Sequence, residues 1–319
     1  MPQPEIVMVG PMPPLVTEQL DAGFTVHKLW LADDPDALIG EISERIVGIA
    51  TAGHKPVDAS FMDRFPNLRI VSNFGVGYDS VDAAHAGTRG VVVTNTPDVL
   101  TEEVADTAYG LMLMTVRELS AAERYLRDGK WLDGAYPLTR GSLQNRSLGI
   151  VGLGRIGKAI ARRAEASGMA VSYHGRSRQS DVAYPYYATA VELARAVDTL
   201  MIVVPGGADT QHMIGREVFE ALGPEGIVIN VGRGSVVDEK ALIAALKDGT
   251  ILSAGLDVFE TEPCRPDELI AMDRVVLLPH VGSASIHTRA RMGQLVVDNL
   301  VETLAGRKPL SPVAETPVG

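Results

Sequence analysis

The chain has 319 residues, 46% hydrophobic and 22% charged, which is ordinary globular composition with room for two domains. Its net charge of −11 argues against nucleic acid or an anionic membrane as the main partner, although anions can still bind where basic residues gather. The single cysteine, Cys264, admits no internal disulfide, Met1-Pro2-Gln3-Pro4-Glu5 lacks the basic-then-apolar pattern of a signal peptide, and no apolar run is long enough to span a bilayer, so a cytoplasmic protein is expected.

Short apolar strands alternate with helical patterns along most of the length, which argues for an α/β fold with parallel sheets. The first strands are expected near Glu5–Val9, Ile46–Ala50, Leu68–Asn73 and Val91–Thr94. The third runs into Phe74-Gly75-Val76-Gly77-Tyr78, whose two glycines would let backbone amides point at a carboxylate. Thr94-Asn95-Thr96-Pro97 ends the extended segment. Thr101 then caps a helix with Glu102 and Glu103 in its first turn. That helix runs towards Arg117 or beyond and is rich in Ala, Leu and Met on more than one face, which suits burial between two domains or a subunit interface.

Next comes the strand Ser147-Leu148-Gly149-Ile150-Val151, which leads into Gly152-Leu153-Gly154-Arg155-Ile156-Gly157. A helical segment follows and stops at Ala166-Ser167-Gly168, where glycine can take the left-handed cap conformation. A second strand, Met169–Tyr173, ends in His174-Gly175-Arg176-Ser177-Arg178. Together these segments read as one complete dinucleotide-binding unit. The first glycine permits a tight turn, the second lets the backbone approach a pyrophosphate, and the third lets helix pack on strand. The pyrophosphate then sits on N–H groups at the positive end of the helix. A ribose 2′-hydroxyl is usually held by an acidic residue about 20 positions past the fingerprint. Here the nearest acid is Asp181, and the strand end carries Arg176, Ser177 and Arg178, which suit a 2′-phosphate. NADP(H) is therefore expected over NAD(H), which would bind at lower affinity; the competing account is a solvated basic loop.

Nearly half the chain precedes the glycine loop, so the first part must be a separate α/β domain. Further strands are expected near Thr199–Val204, Ile227–Val231, Ile251–Asp257 and Val275–Leu278, and the segment Ile286–Leu304 reads as a helix. This last helix is expected to return to the first domain. The division would then be a discontinuous substrate domain, 1–97 with 286–319, and an inserted dinucleotide domain, 98–285, with two crossings forming a hinge over a cleft. The tail from Pro309 is expected to fray.

Ligands of doubly wound sheets collect beyond the carboxyl ends of the strands. Three consecutive strand ends deliver Gly232-Arg233-Gly234, then Asp257-Val258-Phe259-Glu260-Thr261-Glu262-Pro263, then Pro279-His280-Val281-Gly282-Ser283. An arginine, a carboxylate and a histidine thus come to one rim. Hydride transfer to a 2-oxo acid needs an acid for the developing alkoxide, and histidine suits it because it titrates near neutral pH. A carboxylate on the other ring nitrogen would fix the tautomer, and an arginine would clamp the substrate carboxylate and polarise its carbonyl. On this reading His280 is the acid/base, Glu262 its partner and Arg233 the clamp. Each has an ordinary alternative: a structural histidine, a solvated loop carboxylate, a surface arginine in a glycine turn. Their joint placement beside a dinucleotide loop favours catalysis. The remaining histidines, His27, His54, His85, His174, His212 and His287, show no metal-ligand spacing, and no metal is expected.

The segments Asn73–Asp79, Thr94–Thr101, the glycine fingerprint, Val231–Gly234, Gly255–Pro263 and Leu278–Ala284 resemble the motifs of the D-isomer-specific 2-hydroxyacid dehydrogenase family, along nearly the whole chain. The resemblance implies two doubly wound parallel-sheet domains, a Rossmann cofactor domain inserted in a flavodoxin-like substrate domain, and a homodimer joined through the cofactor domains. It implies that Arg233, Glu262 and His280 form the catalytic triad and that the Val76 and Gly77 amides hold the substrate carboxylate. Asp257 would recognise the nicotinamide amide, Thr101 would line the nicotinamide pocket, and Ser283 would contact substrate. The cofactor set it implies comprises Gly152, Gly154, Arg155, Ile156, Gly157, His174, Arg176, Ser177, Arg178, Val204, Pro205, Val231, Gly232 and Gly282, with Arg233 and His280 reaching it as well. Ala52, in Thr51-Ala52-Gly53-His54, would shape the side-chain pocket. Formate dehydrogenases of this superfamily carry glutamine where Glu262 stands, which argues against that branch. The likeness is greatest to glyoxylate/hydroxypyruvate reductases and plant hydroxyphenylpyruvate reductases, implying NADPH-driven reduction of a small 2-oxo acid to a D-2-hydroxy acid. A bulkier aromatic oxo acid stays open as substrate. A non-catalytic dinucleotide-sensing scaffold is the reading from another class, but the chain shows no partner-binding extension of that kind.

Overall fold

Short stretches of two to six residues, most of them apolar, become the strands of two parallel sheets in the computed structural model, which describes residues 3–53 and 55–316. The chain up to Leu100 and the chain from Ser285 onward form one compact unit, and Thr101–Ala284 form the other.

The first unit contains β1 (Glu5–Met8), β2 (Thr25–Lys28), β3 (Ile46–Thr51), β4 (Ile70–Asn73) and β5 (Val92–Thr94). They pair in the order β2-β1-β3-β4-β5, all parallel, which is the flavodoxin-like order. β2 was not expected from the sequence. As an edge strand it has no fully buried residue, so it lacks the apolar run that marks the others. Val7, Ile49, Val71 and Val93 face one core with Phe65 and Met62. The helix Ile286–Leu304 packs on β3, β4 and the helix Pro14–Gly23. It starts where the Ser285 hydroxyl accepts from the Thr288 amide (3.1 Å). Gly293 permits its close approach, because a Cβ there would lie 2.2 Å from Val16 Cγ2.

The tail does not fray over Pro309–Thr316. Thr94 bridges Pro312, the Val313 amide donates to the Val93 carbonyl (2.9 Å), and the Val93 amide donates to the Thr316 hydroxyl (2.9 Å). The reason is that β5 ends the sheet and its unpaired edge needs hydrogen-bond partners, which the tail supplies.

The second unit contains β6 (Ser147–Val151), β7 (Ala170–His174), β8 (Tyr186–Tyr187), β9 (Thr199–Ile202), β10 (Ile227–Asn230), β11 (Ser253–Leu256) and β12 (Val276–Leu277). Their order, β12-β11-β10-β9-β6-β7-β8, reverses between β6 and β9, as in a Rossmann sheet. The two-residue β8 was also missed, since a pair of tyrosines carries no periodic signal. The helix Thr101–Val116 lies on β10, β11 and the helix Arg155–Ala166. Its buried Ala105, Ala108, Leu111 and Met112 are therefore accounted for inside the second unit, where burial between domains or subunits had been the expectation. Gly255 lets it sit close, as a Cβ there would reach within 2.4 Å of Thr115 Oγ1. Among the described residues no helix is long and apolar enough to cross a membrane.

Candidate active site

The glycine loop is built by sterics before any ligand enters. Gly152 has a φ of +102°, and a Cβ there would lie 2.7 Å from Val204 Cγ1 and 3.0 Å from the Val204 nitrogen. A Cβ on Gly157 would come within 2.3 Å of the Gly152 carbonyl oxygen. At Gly154, by contrast, a Cβ would meet nothing within 4 Å, so this turn opens onto empty space. Gly154 precedes the helix Arg155–Ala166, which has no side-chain cap and no acidic residue in its first turn. No acid of its own first turn therefore offsets the positive end of this helix, which fits a pyrophosphate. The helix closes at Gly168, whose φ is +76°.

The basic loop lies directly after β7. Arg176, Ser177 and Arg178 are all exposed. Gln179, which sequence reading passed over, anchors them: its amide donates to Tyr173 Oη (2.7 Å) and its side chain donates to the Leu153 carbonyl in the glycine loop (2.8 Å). Asp181, the nearest acid, accepts from Lys158 Nζ (2.7 Å), which holds its carboxyl below the usual range. That carboxylate is committed to the helix. His174 donates from Nδ1 to the Tyr187 carbonyl (3.0 Å), and its own carbonyl accepts from the Gly152 amide (2.9 Å).

Beyond β9, the half-buried Val204 is followed by the exposed Pro205. The Val203 amide donates to the Val151 carbonyl (2.9 Å), and a Cβ on Gly232 would lie 2.7 Å from the Val204 carbonyl oxygen. The loops after β6, β9 and β10 are thus in backbone contact. Buried Asn230 organises the next one: Oδ1 accepts from the Gly232 amide (3.0 Å) and Nδ2 donates to the Arg233 carbonyl (2.9 Å). Arg233 itself is half-buried, with one guanidinium nitrogen donating to the Gly232 carbonyl (2.8 Å). Gly234 abuts the β11 loop so closely that a Cβ would overlap the Phe259 carbonyl carbon at 1.8 Å.

His280 and Glu262 meet at the ends of β12 and β11. His280 Nδ1 donates to Glu262 Oε2 (2.6 Å), and Glu262 Oε1 accepts from the Phe259 amide (2.9 Å), so both carboxylate oxygens are oriented. The imidazole is 40% exposed and the carboxylate 19%, which leaves the ring reachable from solvent while its partner is sheltered. His280 has a φ of +53°, a left-handed conformation that costs a non-glycine residue about 1 kcal/mol or more. Asp257 holds it there. Its carbonyl accepts from the His280 amide (2.9 Å), Oδ1 from the Val281 amide (2.7 Å) and Oδ2 from the Gly282 amide (2.8 Å). At 1% exposure, burial pushes the Asp257 carboxyl above its ordinary pKa, against the pull of the two amides. Ser283 is half-buried just beyond, and Thr107, one turn and a half past Thr101, donates to the Gly282 carbonyl (3.3 Å).

Ala52, Val76 and Gly77 belong to the first unit. Ala52 directly follows β3; His54 lies outside the described residues. The Val76 carbonyl accepts from Asn95 Nδ2 (2.8 Å) and the Gly77 carbonyl from Asn73 Nδ2 (2.9 Å). Asn95 thus orients the peptide that carries the Gly77 amide, and Asn73 Nδ2, which also donates to the Gly75 carbonyl (3.2 Å), orients the one that carries the Val76 amide. Among the described residues no three His, Cys, Asp or Glu side chains cluster as metal ligands.

Comparison with known proteins gives consistent matches. A profile described as D-isomer specific 2-hydroxyacid dehydrogenase, NAD binding domain, matches residues 109–282. The chain is 45% identical to glyoxylate/hydroxypyruvate reductase A of Arabidopsis thaliana over 97% of its own length and 98% of the relative's. It is 44% identical to the hydroxyphenylpyruvate reductase of Plectranthus scutellarioides over the same shares. Among solved structures it is similar to the NADPH-dependent glyoxylate/hydroxypyruvate reductase of Sinorhizobium meliloti in complex with NADP and malonate. That similarity has a TM-score of 0.94 and 52% identity, covering 99% of this chain and 98% of the other.

Proposed function

The chain belongs to the D-isomer specific 2-hydroxyacid dehydrogenase family, and on that premise we propose that it reduces the carbonyl of a small 2-oxo acid, glyoxylate or hydroxypyruvate, to the D-2-hydroxy acid with NADPH. The observation that carries this reading is the 2.6 Å pair of His280 and Glu262 on the same unit as the open glycine cradle. The bound dinucleotide would supply hydride from its reduced nicotinamide.

The chain's own residues supply the rest. Glu262 holds the Nδ1 proton, which fixes the tautomer, so Nε2 is the nitrogen that delivers a proton to the developing alkoxide. The Arg233 guanidinium binds the substrate carboxylate and polarises the carbonyl beside it. The amides of Val76 and Gly77 are the carboxylate donors of the first unit, and Ser283 contacts the substrate. The Gly152–Gly157 loop takes the pyrophosphate. Arg176 and Arg178, steadied by Gln179, take the 2′-phosphate with Ser177. Thr101, His174, Val204, Pro205, Val231, Gly232 and Gly282 line the remainder of the cofactor site. Asp257 shapes the His280–Gly282 turn and would recognise the nicotinamide amide.

The test is a spectrophotometric panel of 2-oxo acids with NADPH and NADH. Glyoxylate and hydroxypyruvate are expected to have the highest kcat/KM, with NADPH the better reductant. Binding of NADPH without turnover of any 2-oxo acid would leave only the dinucleotide-sensing scaffold. The similarity to hydroxyphenylpyruvate reductase supports a second reading, a substrate with an aromatic tail, and the same panel decides it.

Substitution of Asn95 by Ala is expected to raise the KM for glyoxylate about tenfold, because the Val76–Gly77 peptide loses the bond to its carbonyl that aims the Gly77 amide. The KM for NADPH should stay unchanged; a shift in both, or in neither, would contradict the role given to that loop. We further propose a cytoplasmic homodimer. Trp131, Leu132 and Leu138 of the second unit are 65%, 93% and 98% exposed, an apolar segment suited to a partner surface. Light scattering that returned the 34.0 kDa mass of one chain would exclude it.

A further inference from the structure

A second imidazole–carboxylate pair lies in the second unit, and the reaction outlined above does not use it. His212, on the loop after β9, places Nε2 against Oε1 of Glu260, on the loop after β11. Glu260 stands just before Thr261 and Glu262. We propose that the His212–Glu260 pair is a positioning device for catalysis, tying these two loops together so that the turn carrying Glu262 stays at His280.

Several contacts make the pair part of the catalytic frame. His212 has a φ of +49°, a left-handed conformation that persists only where the surroundings over-determine it. Its amide donates to the Ser235 carbonyl (2.9 Å) and the Ile214 amide to the Val236 carbonyl (3.0 Å), so the segment is stitched to the stretch that follows Arg233. That stretch begins at Gly234, whose backbone touches the Phe259 and Glu260 backbone. The Glu260 amide in turn donates to Glu239 Oε2 (3.3 Å), and the Phe259 amide to Glu262 Oε1 (2.9 Å). Movement of the Phe259–Glu260 backbone therefore reaches Glu262 directly, and through it His280. A contiguous chain of contacts runs from one imidazole to the other.

The pair is partly open to water, with His212 45% and Glu260 31% exposed, so its expected effect is on geometry rather than on folding stability. Small misplacements of a catalytic group lower the rate much more than they lower stability.

The proposal rests on the enzymatic reading given above, and the wild-type enzyme tests that reading first. If the purified chain reduces no 2-oxo acid, the enzymatic reading fails, and the positioning role falls with it before any variant is made. With activity in hand, kcat, the KM values for glyoxylate and NADPH, and Tm are measured for His212→Gly, Glu260→Ala, Glu260→Gln and the double variant His212→Gly/Glu260→Ala. Glycine accepts the left-handed backbone without strain, so His212→Gly removes only the side-chain link. The expected result is a kcat about tenfold lower in His212→Gly and in Glu260→Ala, with the KM for NADPH within about twofold. The double variant should be no slower than either single one, because both break the same link. Glu260→Gln, whose amide oxygen still accepts from the imidazole, should stay within about threefold of wild type. Wild-type kcat in both single variants would overturn the proposal. So would losses that multiply in the double variant, or a common fall in Tm in both Glu260 variants that accounts for the lost rate.

Discussion

Replacement of His280 by Ala is expected to lower kcat for 2-oxo acid reduction by about three orders of magnitude while the Kd for NADPH changes less than about threefold. The size follows from the role proposed for it: a positioned general acid contributes typically 10²–10⁴-fold, and no other group on the β12 loop can take over the proton. The selectivity follows from the architecture. The glycine loop is shaped by its contacts with Val204 and by its own backbone, both independent of the His280 side chain. The Asp257 bonds to the turn go to backbone amides, which alanine retains. Arg233→Ala should fall comparably, with the KM for the oxo acid rising as well, since a bidentate carboxylate clamp is lost. Arg233→Lys should rescue little, because a point charge does not reproduce the planar fork. Stopped-flow hydride transfer together with fluorescence titration of NADPH separates the two quantities. Full activity in His280→Ala would remove the acid from the mechanism proposed, and NADPH affinity falling in parallel with kcat would mean that the substitution had disturbed the cofactor loop.

The double substitution Arg176→Ala and Arg178→Ala is expected to raise the KM for NADPH roughly a hundredfold while moving that for NADH less than about threefold. A charge-assisted hydrogen bond to phosphate is worth about 1.5–3 kcal/mol. Both side chains are exposed, so the lower figure applies, about tenfold for each arginine. The loop itself should persist, because its anchors are Gln179 and Tyr173 rather than the arginines. In the wild type the KM for NADPH should also climb more steeply with salt than that for NADH. An unchanged NADPH-to-NADH ratio would make the basic loop a solvated one after all, and the source of cofactor preference would have to lie elsewhere.

Comparison of sequence with structure separates local signals from long-range ones. The glycine fingerprint, the α/β alternation and the residues at the ends of β10, β11 and β12 were all legible, because each depends on spacing within a few residues. Tight turns demand glycine where they occur, and parallel strands buried on both faces demand continuous apolar runs. The edge strands β2 and β8 escaped notice since neither is buried enough to need such a run. The tail escaped for a related reason: its order comes from hydrogen bonds to Val93, more than two hundred residues away, and composition alone reads it as frayed.

The sequence by itself determined which residues reach the carboxyl rims of the sheets and that a dinucleotide loop lies on one of them. Only the tertiary structure decided how they are held. Asp257 bonding three successive amides, Asn95 turning the Val76–Gly77 peptide, Gln179 joining two loops, and His212 meeting Glu260 are all contacts between segments that fold together from separate stretches of chain. The physical reason is range. Backbone sterics and apolar periodicity act between near neighbours and leave a pattern in the chain, whereas a side-chain hydrogen bond acts over about 3 Å of space and leaves none until the strands are paired.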